Sequence, residues 1–342
     1  MDFLARYVAG TLSSLSAPKR RHILAIIVMV TVGGLTWADA LRPIDDALMD
    51  WRFKLLEHAS SDSLIVVEID PKSIAAHPSW PWSRSIYATV IRNLQSAGVK
   101  TIGVDLDFSS LSDSQGDAAL RDALNERPGD VILPSFLQRD SLINSPNELI
   151  DTSPNPIFLE HVVVASANLP VEPNGIARRG WYGTETADGF RASLAAALVG
   201  VPSTRTGSFH IDFSINPTRI TSLSISEVEA NTFDPRLVAG RNVLIGASAL
   251  ELGDISLAPL YGFVSGVMLH ALSYESLVQG RALSRISPLL VLPFVALILP
   301  LWFFPRGDWT FMSGSVFHQT LTLPQIGTQG RNLCRGTKAS AQ

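Results

Sequence analysis

Two short runs in this sequence carry residue types and spacings that could do chemistry. In GVDLDFSS, Asp105 and Asp107 follow an apolar run and lie two positions apart. Carboxylates in that arrangement can share a divalent cation, or one can attack phosphorus while the other acts as acid or base. In WPWSR, Trp80, Trp82 and Arg84 could form an aromatic wall with a cation, which suits an anionic or cyclic ligand. The sequence therefore offers a hydrolytic site or a binding site.

The hydrolytic interpretation needs more than the paired carboxylates. Haloacid-dehalogenase-like phosphatases begin with a similar motif but also require a downstream Lys and a later acidic pair, and residues 108–285 contain no Lys and no paired Asp. An extracytoplasmic metal-dependent phosphohydrolase using Asp105 and Asp107 is therefore kept as an alternative. We expect instead that these carboxylates accept backbone hydrogen bonds and fix strand ends. No catalytic residue, metal ligand or cofactor is predicted, and the lone His270 is expected in the core.

The WPWSR run also has a structural interpretation. Its indoles would pack over a sheet edge while Arg84 pairs with Asp70 or Asp105, which would lower the proton affinity of that carboxylate. Other polar residues lie in turns that the strand order could bring to the same edge. The full predicted ligand-binding set is Asp70, Trp80, Trp82, Arg84, Asp105, Asp107, Asp188, Arg191, Ser248 and Asp254.

The stretch from Ser63 to Phe108 must position these residues. Its first apolar run, Leu64–Ile69, is too continuous for a strand with one wet face and suits a strand covered on both faces. Ser83 is placed to cap a helix that Gly98 ends, and Thr101–Val104 is a second apolar strand. A strand–helix–strand crossover makes the two strands parallel, so their following carboxylates should gather at one sheet edge.

The rest of the chain repeats this alternation. Helices are predicted at Ser114–Asn125, Phe190–Leu198, Ile225–Ala230 and Gly266–Gln279, and strands at Val131–Pro134, His161–Ala167, Phe209–Phe213 and Asn242–Gly246. An amphipathic helix over Ile44–His58 is expected to dock on the domain through Ala47, Leu48, Trp51, Leu55 and Leu56. The predicted fold is α/β, with a mostly parallel sheet and flanking helices.

Two apolar runs predict transmembrane helices on either side of this domain. Ile23–Leu41 and Ile286–Phe304 have 19 residues each, which is long enough to cross a bilayer. Basic residues precede the first run and favour a cytoplasmic N-terminus. The expected organisation is a cytoplasmic segment 1–22, a span 23–41, an extracytoplasmic domain 42–285, a span 286–304 and a largely disordered cytoplasmic tail 305–342. We therefore expect a multi-pass protein of the cell inner membrane with a periplasmic main domain.

Charge and cysteine content exclude some functions. Residues 42–285 contain 28 Asp and Glu against 19 Lys and Arg, a net charge of −9. Such an acidic domain gives no electrostatic basis for binding nucleic acid. The only cysteine, Cys334, lies in the tail, so the domain must be held together by its core.

The order of several motifs resembles the type-two CHASE sensors, which are extracytoplasmic input domains of bacterial membrane signalling proteins. The matching pieces run through residues 45 to 282, and they are DALMDWRF, VVEIDPKSI, WPWSR, GVKTIGVDLDF, ADGFR, NVLIGASALELGDISLAP and GVMLHALSYESLVQG. The resemblance implies an α/β sensor flanked by membrane spans. In the family it is coupled to outputs such as histidine kinases or nucleotide cyclases, and none of their motifs is present here.

We therefore expect a membrane-anchored sensor module that binds an unknown small-molecule or protein signal and relays it through its transmembrane helices. The chain itself is not expected to be an enzyme. A homodimer is predicted, since signalling needs a partner helix to move against, and a separate cytoplasmic enzyme would supply the output. A second alternative, besides the phosphohydrolase, is a membrane-anchored interaction module without a small ligand.

Overall fold

The computed structural model describes residues 16–139 and 149–284. Leu41–Arg285 forms one compact unit, and the helix that precedes it, α1 (Ala17–Trp37), belongs to another. The predicted span 286–304, the predicted tail 305–342 and residues 1–15 lie outside the described residues. The domain boundaries predicted there remain predictions.

The described helices were compared with what a membrane span requires in length and apolar character. Within residues 16–139 and 149–284, no helix taken alone meets both requirements. The consecutive helices His22–Trp37 and Arg42–Leu55 meet them only when they are taken together.

A seven-stranded sheet is the centre of the Leu41–Arg285 unit. The described strands are β1 (Leu64–Ile69), β2 (Thr101–Asp105), β3 (Val131–Arg139), β4 (Leu149–Thr152), β5 (Val163–Ser166), β6 (Arg179–Trp181), β7 (Gly183–Thr186), β8 (Gly189–Ala192), β9 (Ser208–His210), β10 (Ser222–Ser224), β11 (Asn242–Ala247), β12 (Ile255–Ala258) and β13 (Gly262–Ser265). The sheet order is β10-β1-β11-β2-β3-β4, and β5 also pairs with β3. Every pairing in it is parallel except β3 with β4. The predicted mostly parallel sheet is confirmed.

Helices cover both faces of this sheet. After α1 they are α2 (Arg42–Leu55), α3 (Pro71–Ala76), α4 (Arg84–Ser96), α5 (Ser114–Glu126), α6 (Leu194–Val199), α7 (Ile225–Glu229) and α8 (Gly266–Val278). Along β1, Ile65, Val67 and Ile69 pack with α4, α5 and α7, whereas Leu64 and Val66 pack with α6 and α8. Both sets are buried, which confirms that β1 is covered on both faces.

The predicted crossover from β1 to β2 forms, with one difference in strand order. The two strands are parallel members of the same sheet, but β11 pairs with both and separates them. The register brings Gly246 of β11 opposite both Glu68 of β1 and Asp105 of β2. A strand from much later in the chain therefore separates the carboxyl ends of β1 and β2, although all three ends lie at the same edge of the sheet.

Local capping explains where the helices begin. The Ser83 side chain accepts a hydrogen bond from the Ser85 N–H and caps α4 as predicted, and Asp113 accepts one from the Gly116 N–H and caps α5. The predicted helix Phe190–Leu198 was wrong over its first half. Gly189–Ala192 instead forms β8 in a hairpin with β7, and the helix begins only after Ser193, which caps it through the Ala196 N–H.

Helix α2 docks on the domain by the face opposite to the predicted one. Its apolar stripe, defined as Ile44, Leu48, Trp51 and Leu55, is exposed. The docked face instead buries Phe53 against Phe213, and Asp50 Oδ1 binds Arg178 Nη1 at 2.5 Å. The prediction failed because the charged face of an amphipathic helix is normally exposed to solvent. Here the charged residues of that face pair with opposite charges on the domain.

Candidate ligand-binding pocket

A pocket of about 310 Å³ opens beside the carboxyl end of β2. One wall comes from the turn before α4, and the other from the segment between β2 and α5. The lining residues are Trp80, Pro81, Trp82, Arg84, Tyr87, Leu106, Asp107, Phe108, Ser110, Leu111 and Ser112. Trp80, Trp82, Arg84 and Asp107 from the predicted ligand-binding set thus lie together. The volume is at the lower end of the range for small-molecule sites.

An aromatic series forms the base and one side of the pocket. The ring centroids of Trp80 and Trp82 are 5.3 Å apart in an edge-to-face arrangement, and those of Trp82 and Tyr87 are 6.2 Å apart and stacked. Tyr87 then meets Phe108 edge-on at 5.7 Å. Trp82, Tyr87 and Phe108 are buried, whereas Trp80 is 44% exposed at the mouth. The series therefore joins the hydrophobic core to an open indole surface.

Arg84 is buried at the base of the pocket and is already paired. Its Nη1 donates to Asp117 Oδ1 at 2.5 Å, and its Nη2 donates to the Ser110 carbonyl. The guanidinium also lies over the rings of Phe108 and Phe158, at 5.6 and 5.1 Å from their centroids. The prediction that Arg84 pairs with Asp70 or Asp105 was wrong, because α5 packs on α4 and places Asp117 within hydrogen-bonding distance of Arg84.

Asp107 is the charged side chain that the pocket presents to solvent. It is exposed, and its Oδ1 accepts a hydrogen bond from the Ser109 N–H at 2.8 Å. A carboxylate has about four acceptor positions, so capacity for a ligand remains. Among the lining residues the charged side chains are Arg84 and Asp107, and Arg84 is neutralised by Asp117.

Asp105 lies on the other side of the sheet, against α8. Its Oδ2 is 3.8 Å from Nε2 of His270, which α8 contributes, and both side chains are buried. Desolvation raises the pKa of Asp105 to about 7. Desolvation also lowers the pKa of His270 to about 4, against the opposing effects of the Asp254 carboxylate and a hydrogen bond to the Ala167 backbone. His270 is a buried core residue, as expected.

Asp254 completes this cluster from the segment before β12. Desolvation, and after it the Asp105 carboxylate, raise the pKa of Asp254. Its carboxyl oxygens lie so close to the position of a Cβ on Gly266 that a larger residue at the start of α8 would require the Asp254 side chain to move. The buried Asp105 and His270 thus meet the exposed residue Asp254 at one end of α8, and none of the three lines the pocket.

The separation of Asp105 from Asp107 bears on the phosphohydrolase alternative. Asp105 faces α8, whereas Asp107 lines the pocket on the α4 side, so the two do not share one site. Among residues 16–139 and 149–284, no group of three His, Cys, Asp or Glu side chains is arranged to hold a metal ion. The geometry that a shared magnesium site requires is not formed by the described residues.

Two further predicted residues fix the sheet edge. Asp70 follows β1 and caps α3, and it accepts hydrogen bonds from the N–H and hydroxyl of Ser73 and from the Ser224 hydroxyl. Desolvation opposes these bonds, but together they lower the pKa of Asp70. Ser248 donates to Glu68 Oε2 at 3.0 Å. Both residues lie outside the pocket lining and hold strand ends, which is the structural role weighed for such carboxylates and hydroxyls.

Asp188 and Arg191 belong to the β7–β8 hairpin. Asp188 is at its turn, with 88% of its side chain exposed and 3.9 Å from Arg191 Nη2. Arg191 Nη1 binds the Asp151 carboxylate at 2.6 Å and the Ser135 hydroxyl at 2.7 Å. This ion pair joins the hairpin to β3 and β4, and neither residue lines the pocket.

Sequence analysis missed half of the pocket. Tyr87, Phe108 and Leu111 were not named as site residues, nor was Asp117, the partner of Arg84. Tyr87 lies on α4 one turn after Arg84, so helical spacing alone could have indicated it. The pairing of Arg84 with Asp117 depends on how α4 packs on α5, which no local pattern specifies.

Comparison with known proteins gives one match. A family model described as the CHASE2 domain matches residues 23–304, which is most of the chain. No curated protein matches this sequence, and no solved structure matches it.

Proposed function

The chain belongs to the CHASE2 family of extracellular sensor domains, and from that premise we propose that it is a membrane-anchored input module of bacterial signal transduction. The observation that carries this proposal is the extent of the family match. It begins at residue 23 and ends at residue 304, the outer limits of the two apolar runs predicted to be spans. The family unit thus comprises the α/β domain together with both flanking segments.

The pocket beside β2 is the proposed signal-binding site. It lies at the carboxyl end of a strand in a parallel sheet, where ligands bind in open α/β folds. An open indole, a free carboxylate and an apolar base supply both binding surface and orientation. No metal or cofactor is proposed, and the signal is a small molecule rather than nucleic acid.

A mechanical connection leads from this pocket toward the chain ends of the domain. Asp107 at the pocket is two residues after Asp105, which contacts His270 on α8. At the other end of α8, Glu275 accepts a hydrogen bond from the Ser61 N–H at 2.7 Å, and Gln279 donates to the Ala59 carbonyl at 3.1 Å. We infer that ligand binding shifts α8 and that α8 moves the segments leading to both spans.

Membrane topology tests the proposal most directly. With Cys334 changed to Ser, a single cysteine at the exposed Asp122 should be labelled by a membrane-impermeant maleimide in spheroplasts. A cysteine replacing Ser13 is the matched control and should be labelled only after lysis. Labelling of Asp122→Cys only after lysis would place the domain in the cytoplasm and end the proposal.

We also propose a homodimer that includes α2. The apolar stripe Ile44, Leu48, Trp51 and Leu55 follows the 4-3-4 spacing of a coiled-coil seam and is exposed over its whole length. A second copy of the same helix is the occupant that this spacing fits. In the Cys334→Ser background, Leu48→Cys should form a disulfide-linked dimer on mild oxidation. Lys54→Cys, which is exposed beside the stripe, should not, and equal cross-linking at both positions would refute the seam.

The exposed stripe also favours a second candidate function, an interaction module without a small ligand. Thermal-shift screening of the full chain separates the two functions, because a ligand that binds only the folded state raises the midpoint of unfolding. Uniform failure across a broad metabolite library, together with cross-linking through Leu48→Cys, would favour the interaction module.

A further inference from the structure

The charge of the pocket indicates what kind of ligand it takes. The sequence suggested an anionic ligand because Arg84 is the cation of the WPWSR run. In the structure the Arg84 side chain is only 7% exposed and is bonded to Asp117 and to the Ser110 carbonyl. A guanidinium that is already satisfied in this way has little to gain from a ligand anion.

The free charge of the pocket is negative. Asp107 is exposed and accepts a hydrogen bond from the backbone of Ser109. The Arg84–Asp117 pair is neutral as a unit, so the lining residues among 16–139 and 149–284 together carry the charge of Asp107. An anion entering the pocket would meet this carboxylate, whereas a cation would be attracted to it.

The aromatic residues of the pocket also favour a cationic ligand. The face of an indole ring is electron-rich and attracts cations, and Trp is the best of the aromatic residues for this contact. Trp80 offers an open indole surface at the mouth, and it meets the buried Trp82 edge-to-face with 5.3 Å between the ring centroids. Leu111, on the opposite wall, is an exposed apolar side chain that can cover the alkyl part of a ligand.

We propose that this pocket binds a small organic cation, with its ammonium group held between the exposed Trp80 indole and the Asp107 carboxylate. This inference rests on the proposed function, because it assumes that the pocket is the signal-binding site. The volume of about 310 Å³ limits the ligand to a small amine or quaternary ammonium compound.

The test is calorimetric titration of the full chain in maltoside micelles with three probes of one shape and different charge. Choline is the cation, 3,3-dimethylbutan-1-ol its neutral isostere and 3,3-dimethylbutanoate the anion, and benzyltrimethylammonium adds a larger cation. At least one of the two cations should bind at least roughly tenfold more tightly than the neutral and anionic probes, and less tightly at high salt. Preferential binding of the neutral or anionic probe would overturn the cation assignment.

Variants connect this binding to the pocket. Asp107→Asn should weaken cation binding by roughly tenfold and leave any binding of the neutral probe unchanged, and Trp80→Leu should weaken it severalfold. Asp122→Asn is the matched control, since it removes the same charge from an exposed position on α5 outside the pocket lining. Equal losses in Asp107→Asn and Asp122→Asn would also overturn the assignment.

The outcomes distinguish this inference from the proposed function. If both cations fail while another small molecule from a broad library binds the native chain and binds Trp80→Leu more weakly, the sensor stands and the cation assignment falls. If no small molecule of any charge binds, ligand sensing at this pocket falls and the cation assignment falls with it.

Discussion

The two sides of the sheet differ in whether a buried ionisable side chain near the carboxyl end of β2 has a partner of opposite charge. On the α4 side, Arg84 is bonded to Asp117 and lies over two aromatic rings, so its charge is compensated. On the α8 side, Asp105 is 3.8 Å from a neutral His270, and desolvation raises its pKa to about 7. The compensated charge builds the base of an open pocket, and the uncompensated one makes the packed side sensitive to protonation.

The comparison predicts its largest effect at Arg84. Changing Arg84→Met leaves Asp117 buried without its partner and should lower the free energy of unfolding by about 3–5 kcal/mol. The double variant with Asp117→Leu should recover most of that loss, since neither charge remains. Denaturant titration followed by circular dichroism measures both. A double variant as unstable as the single one would mean that Arg84 stabilises the domain by something other than its pair.

A second prediction concerns pH and Asp105. Because its folded pKa is raised, the protonated form favours folding at low pH, and that stabilisation is lost as the pH rises from about 4 through about 7. The free energy of unfolding of Asp105→Asn, measured relative to that of the native chain, should therefore rise by on the order of 3 kcal/mol between pH 4.5 and pH 8. His270 has a lowered pKa, so its own contribution to the free energy of unfolding changes with pH in the opposite direction. Both chains contain His270, so this contribution does not enter the difference between them.

The measurement is denaturant unfolding of both chains at pH 4.5, 6 and 8. Asp107→Asn serves as the matched control, because it makes the same chemical change two residues later on the exposed side. A difference between Asp105→Asn and the native chain that stays constant with pH would show that Asp105 is not desolvated.

A third, smaller effect is expected from the packing beside Asp105. A Cβ on Gly246 would lie 2.7 Å from Val267 Cβ on α8, so Gly246→Ala should destabilise the domain by roughly 1–3 kcal/mol. Combining it with Val267→Gly removes the Cβ that the new methyl group would meet, and the double variant should lose less stability than the sum of the single losses. Strictly additive losses would contradict the close approach of α8 to β11.

The smallest effect is expected at the mouth of the pocket. Trp80 is 44% exposed at the surface, so Trp80→Leu should change the free energy of unfolding by only about 0.5 kcal/mol while it weakens ligand binding. Thermal unfolding in the absence of ligand measures the first effect. A loss of several kcal/mol would mean that Trp80 is part of the core, and the pocket would then lack its indole surface.

Local patterns in the sequence predicted the parts of the fold that depend on neighbouring residues. The continuous apolar run Leu64–Ile69 predicted a strand with two covered faces, and Ser83 predicted the start of α4, because burial on both faces and capping are properties of a few consecutive residues. The order of short motifs identified the family. The predicted span 286–304 lies outside the described residues, and at the predicted span 23–41 no described helix taken alone has the length and apolar character of a span.

Tertiary structure alone decided which charges meet. The packing of α4 on α5 pairs Arg84 with Asp117. The insertion of β11 between β1 and β2 sets the surroundings of Asp105, which contacts His270 on α8. Helix α2 was placed by ion pairs that join residues more than a hundred positions apart. Such pairings are set by strand order and helix packing, and a local pattern contains neither because each is a contact between distant parts of the chain.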